Sequence, residues 1–231
     1  MIKLAVFDLD GTLKRERDPY VYLHRHLGTE EESAQFTERG LSGEIPYKEW
    51  LRLDVGLWVG TPRATLEKLM RANPYLPGAR ETVAALKGRG VWVAIISTGP
   101  LFHAQMVAAE LGIGPAWANE VMFTGKPGAM VVSGKVRVHI PFAEKGAALE
   151  RLQQSLGVPP EACIAVGDGL TDIPLFQGVA VGVAVHPDKP KIAAAAHIVL
   201  PEPDLGPLLE RLHDYAPGLW RRTIPKNRES S

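Results

Sequence analysis

The sequence contains one cysteine, Cys163. No disulfide can therefore close within the chain, and a reducing compartment fits. There is no excess of charge either, since 26 Lys and Arg stand against 26 Asp and Glu. Without a net field nothing draws the whole surface to nucleic acid or to an anionic membrane, and neither is an expected partner. No apolar run approaches the ~18 residues that a spanning helix needs. The opening run is broken by Asp8 and Asp10 before the apolar core of a signal peptide could form. These absences predict a soluble, cytoplasmic protein. The seven histidines show no metal spacing such as H-E-x-x-H, so none is read as a ligand.

What is present is a set of short apolar runs that stop abruptly at polar residues. Leu4 to Phe7 ends at Asp8, Val91 to Ile96 at Ser97, and Cys163 to Val166 at Gly167-Asp168. Runs of this kind suit strands buried on both faces of a parallel sheet. Val179 to Val185 and His197 to Leu200 supply two more. Amphipathic stretches fall between them: Ala79 to Lys87, Leu101 to Leu111, and Ala143 to Leu156, the last with Leu149, Leu152 and Leu156 on one stripe. Strands alternating with helices predict an α/β fold with a doubly wound parallel sheet. Residues 14–75 read differently. Four helical stretches, Tyr20 to Leu27, Glu30 to Arg39, Tyr47 to Trp58 and Arg63 to Ala72, are punctuated by Gly and Pro with no strand between them. This predicts an all-helical cap at 14–75 inserted into a core of 1–13 and 76–231. A small hairpin insertion is expected at 121–138, turning at Ser133-Gly134-Lys135. The polar tail from Pro225 to Ser231 is expected to fray.

The polar ends of three strands carry the chemistry. D-x-D-G-T follows the first strand at Asp8 to Thr12, Ser97-Thr98-Gly99 follows the second, and G-D-G-x-x-D runs from Gly167 to Asp172. Lys145 opens the helix before the third. Phosphoryl transfer depends on positioning and charge neutralisation, which this set can supply. A carboxylate can be the nucleophile, and a second carboxyl two residues along can move the proton. Magnesium takes oxygen ligands and keeps several waters, so two or three carboxylate or carbonyl oxygens suffice. Lys145 and the hydroxyl of Ser97 can hold phosphoryl oxygens. Bland alternatives exist: Ser97-Thr98 as a helix cap, Asp168 and Asp172 as turn formers, Trp50 and Trp58 as cap core. Lys126, in Gly125-Lys126-Pro127, competes with Lys145 and is read as a turn residue.

At these residues the chain resembles the haloacid dehalogenase superfamily, from Asp8 to about Leu209. It looks most like the phosphoserine phosphatase branch, on the helical cap, the Lys-Gly-x-x-Leu-like start at Lys145, and G-D-G-x-x-D. The resemblance implies Asp8 as nucleophile and Asp10 as general acid/base. It implies Mg²⁺ on the Asp8 carboxylate, the Asp10 backbone carbonyl and Asp168, and phosphate held by Ser97, Thr98, Gly99 and Lys145. Asp172 and Thr171 would stand behind them, Thr171 where the branch commonly has Asn. The expected reaction is hydrolysis of a small phosphorylated metabolite by a monomer or homodimer. Phosphotransfer to another acceptor is the rival within the superfamily. A dehalogenase or a non-catalytic regulatory protein would have no need of Asp10.

Phosphoserine phosphatases bind the serine amino group with a Glu shortly after the first motif and its carboxylate with an Arg later in the cap. An ungapped reading places Arg17 and Asp54 there, an inverted pair. A small gap would instead bring in Glu16 and Arg52. The first arrangement predicts an amino- or polyol-phosphate above phosphoserine, and the second predicts phosphoserine itself.

Overall fold

An unbroken apolar run cannot face water, so β1 (Leu4–Phe7) lies in the middle of the sheet with all four side chains buried. The computed structural model describes residues 1–219, so the tail expectation at Pro225 to Ser231 lies outside the described residues. After β1 come four helices, α1 (Pro19–Leu27), α2 (Glu30–Leu41), α3 (Tyr47–Gly56) and α4 (Arg63–Ala72). Next are α5 (Ala79–Gly88), β2 (Trp92–Pro100), α6 (Leu101–Leu111), β3 (Ala116–Thr124), β4 (Val131–Arg137) and α7 (Lys145–Leu156). The chain continues through β5 (Cys163–Gly167), α8 (Ile173–Gln177), β6 (Val181–Val185), α9 (Pro190–Ala195), β7 (Ile198–Leu200) and α10 (Leu208–Tyr215).

The seven strands run in the order β4-β3-β2-β1-β5-β6-β7. All neighbours are parallel except β3 and β4. The chain winds outward from β1 to one side through β2 and β3, then from β5 to the other through β6 and β7. That reversal puts a crevice beyond the carboxyl ends of β1 and β5, where such sheets bind ligands. The apolar stripes of α5, α6 and α10 cover one face of the sheet, and those of α7, α8 and α9 the other. The expected doubly wound α/β architecture is what forms. Among the described residues no helix is long and apolar enough to cross a membrane.

A third apolar cluster lies above the sheet edge. Tyr22, Leu23, Leu51, Val55, Trp58, Leu66 and Met70 come from α1, α3, α4 and the turn after α3, and they pack on Phe102, Val121 and Val132. The segment after α3 also pairs with β4: Gly60 N donates to Val132 O at 3.0 Å and Val132 N to Thr61 O at 2.9 Å. The chain leaves and re-enters the sheet region along one path, where Arg15 N donates to Pro74 O at 2.9 Å and Leu76 N to Leu13 O at 2.9 Å.

The hairpin differs from the expectation. Its strands are β3 and β4, and they join through residues 125–130. Ser133-Gly134-Lys135 lies inside β4 and not at a turn. Gly134 has φ +77°, and a Cβ there would come within 2.8 Å of Val59 Cγ2, so this glycine marks a bulge pressed against the helical segment. The second strand also runs further than its apolar residues suggest, through Ser97 to Pro100.

Candidate active site

The crevice at the reversal of strand order is lined by Asp8, Asp10, Ser97, Thr98, Gly99, Asp168, Gly169 and Thr171 on the sheet side. Asp8 N donates to Val166 O at 2.9 Å, so the chain leaves β1 still clamped to β5. Gly11, with φ +78°, then turns the backbone back, and a Cβ there would overlap the Asp168 carboxylate. Asp8 and Asp168 are brought together in this way from the ends of adjacent strands.

Lys145 is fully buried at the start of α7. Its ammonium lies 2.8 Å from Asp8 Oδ1 and donates to Asp172 Oδ1 at 2.7 Å. Burial by itself would lower the pKa of this ammonium, but the charges of Asp172 and Asp8 and the bonds to both raise it above its ordinary range. Asp8 is raised well above the usual carboxylate range by burial and by the charge of Asp172, against the pull of Lys145. Asp172 Oδ2 accepts from the N–H groups of Asp168 (3.0 Å) and Gly169 (2.9 Å). Both of its oxygens are therefore in use. Asp168 accepts from Thr12 Oγ1 at 3.0 Å and from Arg17 Nε at 2.8 Å. Burial and the charge of Asp172 raise its pKa to about 7, with Arg17 opposing. One oxygen each from Asp8, Asp168 and Asp172 lie within 4.8 Å of one another, a buried set of hard donors that suits Mg²⁺.

Asp10 is buried, and neither of its carboxyl oxygens has a hydrogen-bond partner. His103, from the first turn of α6, approaches Asp10 Oδ1 to 3.3 Å through Nδ1. Two orphaned acceptors in a cavity are costly unless an entering group meets them. Ser97 Oγ accepts from Gly99 N at 2.9 Å, which leaves the hydroxyl hydrogen to point elsewhere. Gly99 thus orients Ser97, and its N–H is already engaged. Lys126 is exposed on the β3–β4 connection, away from these carboxylates, whereas Lys145 holds two of them.

Of the four residues singled out between 14 and 75, Arg17 and Asp54 line the crevice and Glu16 and Arg52 do not. Arg17 turns to the sheet side, onto Asp168 Oδ2 and, through Nη2, the Asp168 carbonyl at 3.0 Å. Arg52 is exposed and paired with Glu49 at 2.6 Å. Trp58 is buried in the apolar cluster with Leu51, Leu66 and Met70, but Trp50 lines the cavity, contrary to the expectation for the pair. Several contributors were not anticipated. Tyr20 and Tyr47 send their hydroxyls to Thr98 O at 3.4 and 3.1 Å. Asn119 donates to the same carbonyl at 3.0 Å and to Tyr47 Oη at 3.2 Å. His24 stands beside Asp54, with Nε2 3.4 Å from Oδ1. Tyr20 and His24 are four apart on α1, a spacing that could have placed both on one helix face.

A profile of the haloacid dehalogenase-like hydrolases matches residues 5–177. The phosphoserine phosphatase of Archaeoglobus fulgidus is 32% identical over 184 residues, covering 80% of this chain and 52% of the relative. The chain therefore spans about half the length of that relative. The phosphoserine phosphatase of Methanocaldococcus jannaschii is 31% identical over 210 residues, 90% of this chain and 96% of the relative. A solved substrate-bound phosphoserine phosphatase complex superposes with a TM-score of 0.77 at 30% identity, covering 91% and 98% of the two chains. A hydrolase of the same family from Salmonella enterica serovar Typhi gives 0.81 at 25%, covering 92% and 72%. Fold, clustered motifs and these likenesses agree: the chain belongs to the haloacid dehalogenase-like hydrolase family and is similar to its phosphoserine phosphatases.

Proposed function

We propose that the chain hydrolyses a small phosphomonoester in two steps, with the phosphoryl group carried on Asp8. The observation that carries this reading is the buried Lys145 ammonium held between Asp8 and Asp172 at the floor of the crevice, beside an unpartnered Asp10. An oxygen of Asp8 attacks phosphorus as the bond to the leaving oxygen breaks, and Asp10 passes its proton to that oxygen. Asp10 then takes a proton from a water that attacks phosphorus, the bond to Asp8 breaks, and phosphate leaves. Lys145 and the hydroxyls of Ser97 and Thr98 meet the non-bridging oxygens. Asp172, with Gly169 and the backbone of Asp168, fixes Lys145 in place.

Asp8, Asp168 and the Asp10 backbone carbonyl are the groups that would hold Mg²⁺, since Asp8, Asp10 and Asp168 line the crevice whereas Asp172 is fully buried beneath it. When bound, the ion would neutralise charge between the phosphoryl oxygens and Asp8. The helices of 14–75 act as the cap that closes over the leaving group.

The test is turnover with acid-quench trapping. The native protein should need Mg²⁺ and yield an acid-stable, hydroxylamine-sensitive phosphoryl group on Asp8. Asp8→Asn should lose about 10⁴-fold or more in kcat while unfolding normally. Undiminished phosphate release from purified Asp8→Asn protein would refute the mechanism.

A further inference from the structure

The cap side of the cavity has a chemistry of its own. The cavity encloses about 340 Å³, and its upper wall is Tyr20, Tyr47, Trp50 and Phe142 around Asp54. Three of the rings pack on one another: Tyr47 and Phe142 centroids are 5.7 Å apart, Trp50 and Phe142 6.0 Å, and Tyr47 and Trp50 6.0 Å. Their positions are fixed from the phosphoryl side, because the Tyr20 and Tyr47 hydroxyls are tied to Thr98 O. The rings therefore rise from the edge of the phosphate loop toward the cap, where a leaving group must lie.

Asp54 is 4% exposed, and its Oδ1 has no hydrogen-bond partner. Its carboxylate lines the cavity and faces the ring nitrogens of His24 and Trp50 but no Lys or Arg, so an entering ammonium would be its partner of opposite charge. His24, which also lines the cavity, brings Nε2 to 3.4 Å from that Oδ1 and is itself held by Trp58 Nε1, which donates to His24 Nδ1 at 3.0 Å. Among the described lining residues, Arg17 and Lys189 are the Lys and Arg side chains. Arg17 is committed to Asp168, and Lys189 is exposed beside Asp188. Among the described residues no Lys or Arg on the cap side answers a carboxylate, and Asp54 would repel one. Aromatic faces around a carboxylate are the setting in which an ammonium is favoured twice, by the charge and by the rings.

We propose that the leaving group is an amino alcohol: the substrate class is a phosphorylated short-chain alcohol that carries an ammonium and no carboxylate, with Asp54 receiving the ammonium inside the Tyr20–Tyr47–Trp50–Phe142 wall. The inference rests on the phosphomonoester reading above. It chooses the amine among the amino- and polyol-phosphates that the inverted charges allow, and it sets phosphoserine aside.

The experiment compares O-phosphoethanolamine, O-phosphoserine, glycerol phosphate and p-nitrophenyl phosphate by kcat/KM, with Mg²⁺. Phosphoethanolamine should exceed both phosphoserine and glycerol phosphate by about 10-fold or more, the size of one charge-assisted contact. In Asp54→Asn the ratio of phosphoethanolamine to phosphoserine should collapse by about 10- to 100-fold, and Arg52→Ala should leave it where it was. Calorimetric binding of the same compounds to Asp8→Asn protein should give the same order without turnover. Phosphoserine preferred, with the ratio untouched by Asp54→Asn, overturns the inference and leaves the phosphatase reading standing. A ratio lost on Arg52→Ala overturns it equally. No hydrolysis of any of the four, p-nitrophenyl phosphate included, overturns the phosphatase reading; equal binding of phosphoethanolamine and phosphoserine to Asp8→Asn protein then removes the amino-alcohol site as well.

Discussion

Replacing Lys145 with methionine keeps most of the volume and removes one buried charge between two buried carboxylates. Nζ lies 2.8 Å from Asp8 Oδ1 and 2.7 Å from Asp172 Oδ1. At an effective dielectric near 20, each contact is an attraction of roughly 6 kcal/mol. Desolvation of the three ions, at several kcal/mol each, offsets most of it, so the intact triad is not strongly stabilising in sum. Deleting the cation alone is another matter, because the carboxylates stay buried without it. The expected loss is about 3–5 kcal/mol. The sign with pH follows from the raised Lys145 pKa: its contribution is fully present below the ordinary 10.5 and is lost as pH rises through the folded value. In acid the gap should narrow from the other side, as Asp8, already raised above 3.8, takes up its proton. The assay is urea unfolding at pH 7.5 in chelator, so that no divalent ion substitutes for the ammonium. Four proteins complete a double-mutant cycle: native, Lys145→Met, Asp8→Asn and both together. The double variant should recover at least about 1.5 kcal/mol of the loss, since half the orphaned charge is gone. A Lys145→Met protein within about 1 kcal/mol of native, or no coupling to Asp8, would refute the account.

Two further predictions concern the walls. Asn119 is fully buried, accepts from the N–H groups of His139 and Ile140 at 2.8 Å each, and donates to Thr98 O and Ile140 O. Asn119→Ala leaves two N–H groups unmet and should cost about 2–4 kcal/mol by chemical denaturation, with kcat falling as Thr98 and Tyr47 lose their shared donor; native stability would contradict this. Burial raises the Asp54 carboxyl above 3.8, against His24 and Trp50. Native stability should therefore fall as pH rises from about 3.8 through the folded value. Asp54→Asn lacks this penalty and should match or exceed native stability at pH 7, losing the advantage below pH ~4. Urea midpoints across that range decide it, and a variant that gains only in acid would show the sign to be wrong.

The sequence made the floor of the site legible and its upper wall obscure, for one physical reason. Asp8, Ser97 and Asp168 each follow directly on a buried strand, so local pattern and chemistry coincide in a few residues. Lys145 could be chosen over Lys126 because one helix separates it from Asp168. The upper wall has no such local signature. Tyr20, Tyr47, Trp50 and Phe142 come from α1, α3 and the loop before α7, and only packing brings them together. Arg17 shows the limit of reading charge by position: it lies just before α1, yet its guanidinium serves Asp168. β3 escaped notice because Ala116-Trp117-Ala118-Asn119-Glu120 neither alternates nor runs apolar. Asn119 stands in it as the buried polar hub of the site. Gly134 looked like a turn because a glycine beside Ser and Lys usually is one; here it makes room for Val59.

The paired segments at Arg15–Pro74 and Leu13–Leu76 have a consequence for how this protein could diversify. The excursion that carries Asp54 and most of the aromatic wall begins and ends at the same point in space. To the sheet it is a closed loop, whose cost in chain entropy grows only with the logarithm of its length. Doubling the sixty-odd residues between those contacts would add about 0.6 kcal/mol. Lengthening that loop is therefore cheap in chain entropy, provided the contacts of Gly60 and Thr61 with Val132 and the apolar cluster they border are kept, while the strand ends that hold Asp8 and Asp168 stay as they are. New leaving groups can be sampled by grafting at residues 14 and 75, with the phosphoryl chemistry inherited unchanged.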